Sequence, residues 1–273
     1  MRLVNGFESN IVEPQSLFNT ELIWDRIYIT TVFTFNFRST ISIINKYKAA
    51  LGGNLNRMFV GGIMASLMPE EIADATGIYP ITGLLRSPDK LRLKEKKYFE
   101  GITDIDSLTP DYSVVSESNL YAIYDTYYSY STRGCIQDCA WCGVKSIEPQ
   151  YASYIDIKPV INDFRLQYGD KPKLKLMDNN ILPSPHLDRI IADLVELGYG
   201  RDSTTENNRQ RLVDFNQGLD ASFINENTMD LLSNINIKPM RIAFDRLSEK
   251  STYIAALETA ERFVSLFTKL TPA

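Results

Sequence analysis

Cys135, Cys139 and Cys142 are the only cysteines of a 273-residue chain, and they fall within eight consecutive positions. They occur in the run Thr132-Arg133-Gly134-Cys135-Ile136-Gln137-Asp138-Cys139-Ala140-Trp141-Cys142-Gly143, a CxxxCxxC spacing. An odd, clustered set argues against a disulfide framework and for a metal or redox site. Thiolates are the usual ligands of iron–sulfur clusters, and a four-iron cluster normally takes four of them. Three thiolates without a fourth would leave one iron open, the position a catalytic metal site keeps for substrate or cofactor. Gly134 and Gly143 suit a loop bending closely round a compact inorganic body. Two blander chemistries use the same residues. Positions i, i+4 and i+7 share one helical face, so three inert buried thiols are an alternative, although the flanking glycines and Gln137-Asp138 make a poor helix interior. A zinc site needs a fourth ligand, and His186 is the only histidine.

The elements around this cluster read as alternating strands and helices. Arg26–Phe35 (RIYITTVFTF) has the composition of a buried strand. Thr40, Ile44, Tyr47 and Leu51 fall on one face of a helix over 38–51 that Gly52-Gly53 end. Met58–Val60 predicts a short strand running into Gly61-Gly62, and Pro69-Glu70-Glu71 the first turn of a further helix. This order predicts a Rossmann-like parallel sheet over residues 1–86. Residues 87–118, rich in proline and aspartate, read as a linker. Tyr121–Thr132 then forms a strand leading into the cysteines, its tyrosines serving sheet and core rather than stacking on bases. Beyond the cysteines the expected elements are a helix over 156–168, a strand at Lys173–Met177, a helix capped by Ser184 and opened by Pro185, a strand at Leu212–Phe215, a helix capped by Asn225, a strand at Met240–Phe244 and a long final helix with Tyr253, Leu257, Ala260, Val264 and Phe267 on one side. Residues 119–273 thus form a second α/β domain.

Composition narrows the partners. A formal net charge of −5 with no lysine or arginine block gives no indication of nucleic acid or an anionic membrane as partner. No stretch approaches the ~20 apolar residues of a membrane helix, and MRLVNGFESN has no signal-peptide core. A cytoplasmic location, where thiols stay reduced, is the expectation.

The cysteine block resembles the radical S-adenosylmethionine superfamily. Trp141 stands where that family has an aromatic before its last cysteine, and the TRGC run resembles the subgroup with an N-terminal cobalamin-binding-like domain. The resemblance runs over roughly residues 25–267. It implies a partial (β/α) barrel of the radical S-adenosylmethionine type after the Rossmann-like domain. It also implies a [4Fe–4S] cluster on Cys135, Cys139 and Cys142, with S-adenosylmethionine on the open iron. The implied chemistry is reductive cleavage to a 5′-deoxyadenosyl radical that abstracts hydrogen from a substrate the sequence does not name. An electron donor such as a flavodoxin or ferredoxin follows from this. Asp178, Asn179 and Asn180, after the second barrel strand, lie where the family contacts the amino group of S-adenosylmethionine, and their acceptors suit an ammonium. A polar turn after a strand is the plain alternative. Asn216 and Gln217 after the third strand, and Asp245 after the fourth, are further cofactor-binding candidates on weaker ground. His186 reads as a structural or surface residue.

Two departures qualify the resemblance. The subgroup's aspartate–histidine–glycine cobalt motif is missing, since His186 lies outside the N-terminal domain, so no cobalamin is expected. The family barrel usually has six strand–helix units, and about four are present here. The expectation is an incomplete C-terminal domain, from a fragment of a longer gene or a chain needing a partner. The alternative function is a non-catalytic cluster- or S-adenosylmethionine-binding protein.

Overall fold

The β-branched run Ile27–Thr31 forms a strand, β2, that alternates buried and less buried positions, with Ile27, Ile29 and Thr31 inward. The computed structural model describes residues 3–5, 26–52, 54–91, 104–112 and 125–268. β2 lies between β1 (Leu3–Asn5) and β3 (Met58–Gly62) in a parallel three-stranded sheet. Parallel neighbours need a crossover, and α1 (Phe37–Ala50) supplies the one between β2 and β3. Its Ile43, Ile44 and Tyr47 pack with Ile29, Met58 and Val60 in one apolar cluster. After β3 come α2 (Ile63–Leu67) and α3 (Pro69–Thr76), the latter with Pro69 in its first turn and Gly77 in the left-handed conformation at its end. By contacts this unit comprises residues 1–114 together with 141–148, so it takes in most of the expected linker and a short helix, α4 (Val144–Ile147).

The second unit comprises residues 115–140 and 149–273. β4 (Thr126–Ser129), β5 (Lys173–Leu176) and β6 (Leu212–Phe215) form another parallel sheet in sequence order. Between β4 and β5 runs α5 (Lys158–Tyr168), and between β5 and β6 runs α6 (Leu187–Leu194). One face of the sheet carries Tyr127, Leu174, Leu176, Val213 and Phe215, all buried, and the Phe164 ring of α5 stacks on Tyr127 at 5.4 Å. Each such side chain contributes about 1.5–3 kcal/mol by leaving water. The register places Thr126, Tyr128, Lys173, Lys175, Leu212 and Asp214 on the other face, where Thr126 is buried and the others are not. Then follow β7 (Leu219–Asp220), α7 (Glu226–Leu232), β8 (Ile242–Ala243) and α8 (Lys250–Thr268). The chain is thus a mixed α/β protein built on small parallel sheets.

Several elements differ from the sequence reading. The first long strand stops at Thr31, and Thr34–Asn36 is a 3-10 turn. Phe33 and Phe35 are 41% and 79% exposed and stack on each other at 4.9 Å, so their aromatic character serves a local pair instead of the core. The helix expected to open at Pro185 begins at Leu187, because Ser184 Oγ accepts from the His186 amide in the preceding turn. The fourth strand shrinks to Ile242–Ala243 and pairs with β7, while Val213 of β6 bridges to Ile237. Residues 219–220 form a separate two-stranded sheet with β8, after Gly218, at φ +85°, turns the chain beyond β6. The buried side of α8 is Ala256, Thr259 and Ala260, with Leu257 42% exposed; small residues permit the close approach there. Tyr121 and Gly53 lie outside the described residues, as do the side chains of Val264 and Phe267. Asn225 caps α7 as expected, its side chain accepting from the Thr228 amide in a reciprocal capping box.

Candidate functional site

β4 delivers the chain to the cysteines, and Asp178, just beyond β5, holds the point of departure. Its carboxylate accepts from the Ser131 amide (3.0 Å) and hydroxyl (2.8 Å), and from the Thr132 amide and hydroxyl (2.7 Å). Ser131, Thr132 and Asp178 are all buried. Burial pushes the Asp178 carboxyl above the usual carboxylate range, against the pull of the Thr132 and Ser131 donors. The expected acceptor Asp178 therefore spends its lone pairs on the chain itself and acts as a clamp. Arg133, also buried, pairs both backbone groups with Ala152 and lays its guanidinium over the Tyr130 ring. Gly134 follows at φ +74°, a conformation that L side chains rarely adopt, and there the chain breaks away into the loop.

Within the second unit, Cys135 and Cys139 are half-buried free thiols. The Gln137 amide approaches Cys135 Sγ at 3.4 Å, and the Arg246 guanidinium lies 3.8 Å from Cys139 Sγ, where its positive charge complements a thiolate. Trp141 and Cys142 are counted with the first unit, both exposed. Among the described residues no group of three or more His, Cys, Asp or Glu side chains is placed to hold one metal ion.

Asp220, which the sequence reading passed over, organises the polar groups beside this loop. Its Oδ2 accepts from the Gln137 side chain (3.1 Å) and from Asn180 Nδ2 (2.9 Å), and its Oδ1 from the Ser222 amide and hydroxyl. Burial works against ionisation of Asp220, and the donors of Ser222, Asn180 and Gln137 outweigh it, leaving the carboxyl below its ordinary range. Because a carboxylate can only accept, the NH₂ end of Asn180 must face Asp220. The opposite end, Asn180 Oδ1, is buried with no hydrogen-bond partner among the described residues. Tyr151 donates to the Asn180 carbonyl at 3.4 Å, and burial, helped by Asp178 and Cys135, pushes its phenol up to about 12. No local signal in the sequence marks Asp220, whose partners Gln137 and Asn180 come from distant segments.

The remaining candidates are dispersed. Asn179 is half-buried next to the clamp. Asn216 continues the β5–β6 ladder through its amide to the Leu176 carbonyl, and Gln217 is exposed in the turn. Asp245 is exposed after β8. His186 is exposed and meets only the edge of the Tyr154 ring, at 5.9 Å, in keeping with a surface role. In the first unit, the Gly61-Gly62 turn is closed by its own chain. Thr31 Oγ donates to the Gly61 carbonyl and accepts from the Ala65 amide, and Ser66 Oγ donates to the Gly62 carbonyl. A Cβ at Gly62 would lie 2.2 Å from the Thr31 carbonyl oxygen.

No family model matches the chain, and no curated protein does either. No helix among the described residues is long and apolar enough to cross a membrane.

Proposed function

We propose that this chain is a radical S-adenosylmethionine enzyme whose [4Fe–4S] cluster is held by Cys135, Cys139 and Cys142. The observation that carries the reading is the CxxxCxxC loop in a chain with no other cysteine, which offers three thiolates and reserves one iron. The donor set suits the group: the thiols are free of disulfides, and Arg246 brings positive charge to Cys139. When bound, the cluster would supply the single electron for reductive cleavage of S-adenosylmethionine. The chain's own residues bind and orient. Asp178 pins the start of the loop, and Asp220 links loop residue Gln137 to Asn180. The buried, unpartnered Asn180 Oδ1 is an acceptor in reserve for an ammonium donor. Apolar packing of α5 against one face of β4–β6 and charged residues on the opposite face also favour the barrel type over a sheet covered by helices on both sides.

In this reading Trp141, Asn179, Asn216, Gln217 and Asp245 are secondary cofactor contacts, no cobalamin is bound, and a flavodoxin- or ferredoxin-like donor supplies the electron. Anaerobic reconstitution with iron and sulfide, followed by reduction with S-adenosylmethionine present, tests the proposal. The expected product is 5′-deoxyadenosine. A bound cluster without that product would reduce the chain to a cluster-binding protein. One zinc per chain with no iron would overturn both.

A further inference from the structure

The polar face of the second sheet holds a cavity of about 490 Å³, lined by Asp125, Tyr128, Lys173, Lys175, Asp214 and Lys238 among others. Strand register creates this concentration of charge. Lys173 and Lys175 are two apart on β5 and so project together, and Lys175 is paired across the ladder with Tyr128 and Asp214. Two cations already flank each carboxylate. Asp125 accepts from Lys173 (2.8 Å) and Arg209 (3.3 Å), and Asp214 meets Lys175 (3.4 Å) and Arg241. Lys238 adds an ammonium group with no carboxylate partner among the described residues. Three lysines and two carboxylates thus line the cavity, with Arg209 and Arg241 paired to those carboxylates from beside it, in a chain whose formal net charge is −5.

We propose that this cavity binds the oxyanionic group of a small molecule, a phosphate or a carboxylate. A surplus of fixed positive charge in a concavity attracts anions and lowers the cost of desolvating them. Tyr128 adds an aromatic wall and Leu212 an apolar one, giving the ligand's uncharged part a surface to lie against. A merely solvated charged face would give a diffuse, salt-screened attraction with no saturation and no dependence on one lysine. This binding site does not rest on the proposed function, whose cysteine loop follows the opposite end of β4.

Calorimetry on the full chain, without added iron or S-adenosylmethionine, separates the two. Inorganic pyrophosphate and citrate are titrated at ionic strength matched with sodium chloride. Saturable binding of one probe per chain is expected, and Lys238→Ala should weaken it about tenfold. Lys238→Ala removes no internal ion pair, so the fold should be kept, and Lys175→Ala gives a second reading with exposed Lys250→Ala as the control. Tighter pyrophosphate binding assigns a phosphate ligand, and tighter citrate binding a carboxylate. The proposal is overturned if neither probe saturates above the chloride control, or if both Lys238→Ala and Lys175→Ala bind like the unmodified chain. Because no cluster is present, a failure here leaves the radical reading standing, and absence of 5′-deoxyadenosine leaves this result standing.

Discussion

The two three-stranded parallel sheets of this chain end their strands in opposite ways. Where β2 and β3 of the first unit end, at Thr31 and Gly61-Gly62, the polar groups are consumed locally: Thr31 and Ser66 close the turn, and Gly62 is packed against the Thr31 carbonyl so tightly that no side chain fits. Beyond β5 in the second unit, Asp178 is likewise consumed, but Asn180 Oδ1 is buried and has no hydrogen-bond partner among the described residues. The same contrast holds for the sheet faces. The first core is apolar around Ile29, Ile44, Met58 and Val60, whereas the second sheet keeps one apolar face and one lined with lysines. A turn that satisfies itself is built for stability. One that buries an unpaired acceptor bears a cost of about 1–3 kcal/mol that a ligand can recover.

Substitutions can break this contrast or sharpen it. The largest effect is expected from Cys139→Ala, which should abolish assembly of a four-iron cluster, measured by iron and sulfide content after anaerobic reconstitution. A full cluster in that variant refutes the metal assignment. Next, Asp178→Ala leaves the buried donors of Ser131 and Thr132 unpaired and should cost on the order of 3 kcal/mol in denaturant unfolding. Its cluster yield should fall as well, since the start of the loop is released. Gly62→Ala is the counterpart in the first unit. At φ +104° and with Thr31 in the way, it should cost about 2 kcal/mol or more while leaving cluster content per folded chain unchanged. If Gly62→Ala depleted the cluster as strongly as Asp178→Ala, the two turns would not differ in role.

The smallest effect is a pH dependence outside both turns. Burial opposes ionisation of Asp193, but the Tyr154 hydroxyl (2.7 Å) and the Lys158 ammonium (2.9 Å) outweigh it and hold the carboxyl below its ordinary range. A lowered folded value stabilises the fold above the unfolded pKa of about 3.9, and that contribution is lost as pH falls through the folded value. Asp193→Asn should therefore lower stability near neutrality by about 1 kcal/mol and flatten the acid side of the stability profile. An unchanged acid limb would remove Asp193 from the set of carboxylates that set it.

Much of the second unit could be read from local pattern. Leu212–Phe215 forms the expected strand, and Asn225 caps its helix with Thr228, because both signals are complete within a few residues. The exposed pair Phe33 and Phe35 misled because β-propensity does not tell a core strand from a stacked surface pair. The small residues Ala256, Thr259 and Ala260 form the buried face of α8, whereas the larger Leu257, expected to turn inward, is 42% exposed. At the site, the thiols were legible from spacing alone. Asp220 was not, since its partners lie 83 and 40 positions away in Gln137 and Asn180, and only the β7–β8 pairing brings it to them. The role of Asp178 as a clamp was also hidden, for the hydroxyls that occupy it come from the far side of the β4–β5 ladder.

Electron paramagnetic resonance of the reconstituted, reduced chain, recorded before and after adding S-adenosylmethionine, tests the open-iron site most directly. A cluster with three protein thiolates and one free iron should give a four-iron signal whose g-values shift when S-adenosylmethionine binds, and Asn180→Ala should weaken that shift at a given concentration. A four-iron signal indifferent to S-adenosylmethionine, or no four-iron signal at all, would contradict it.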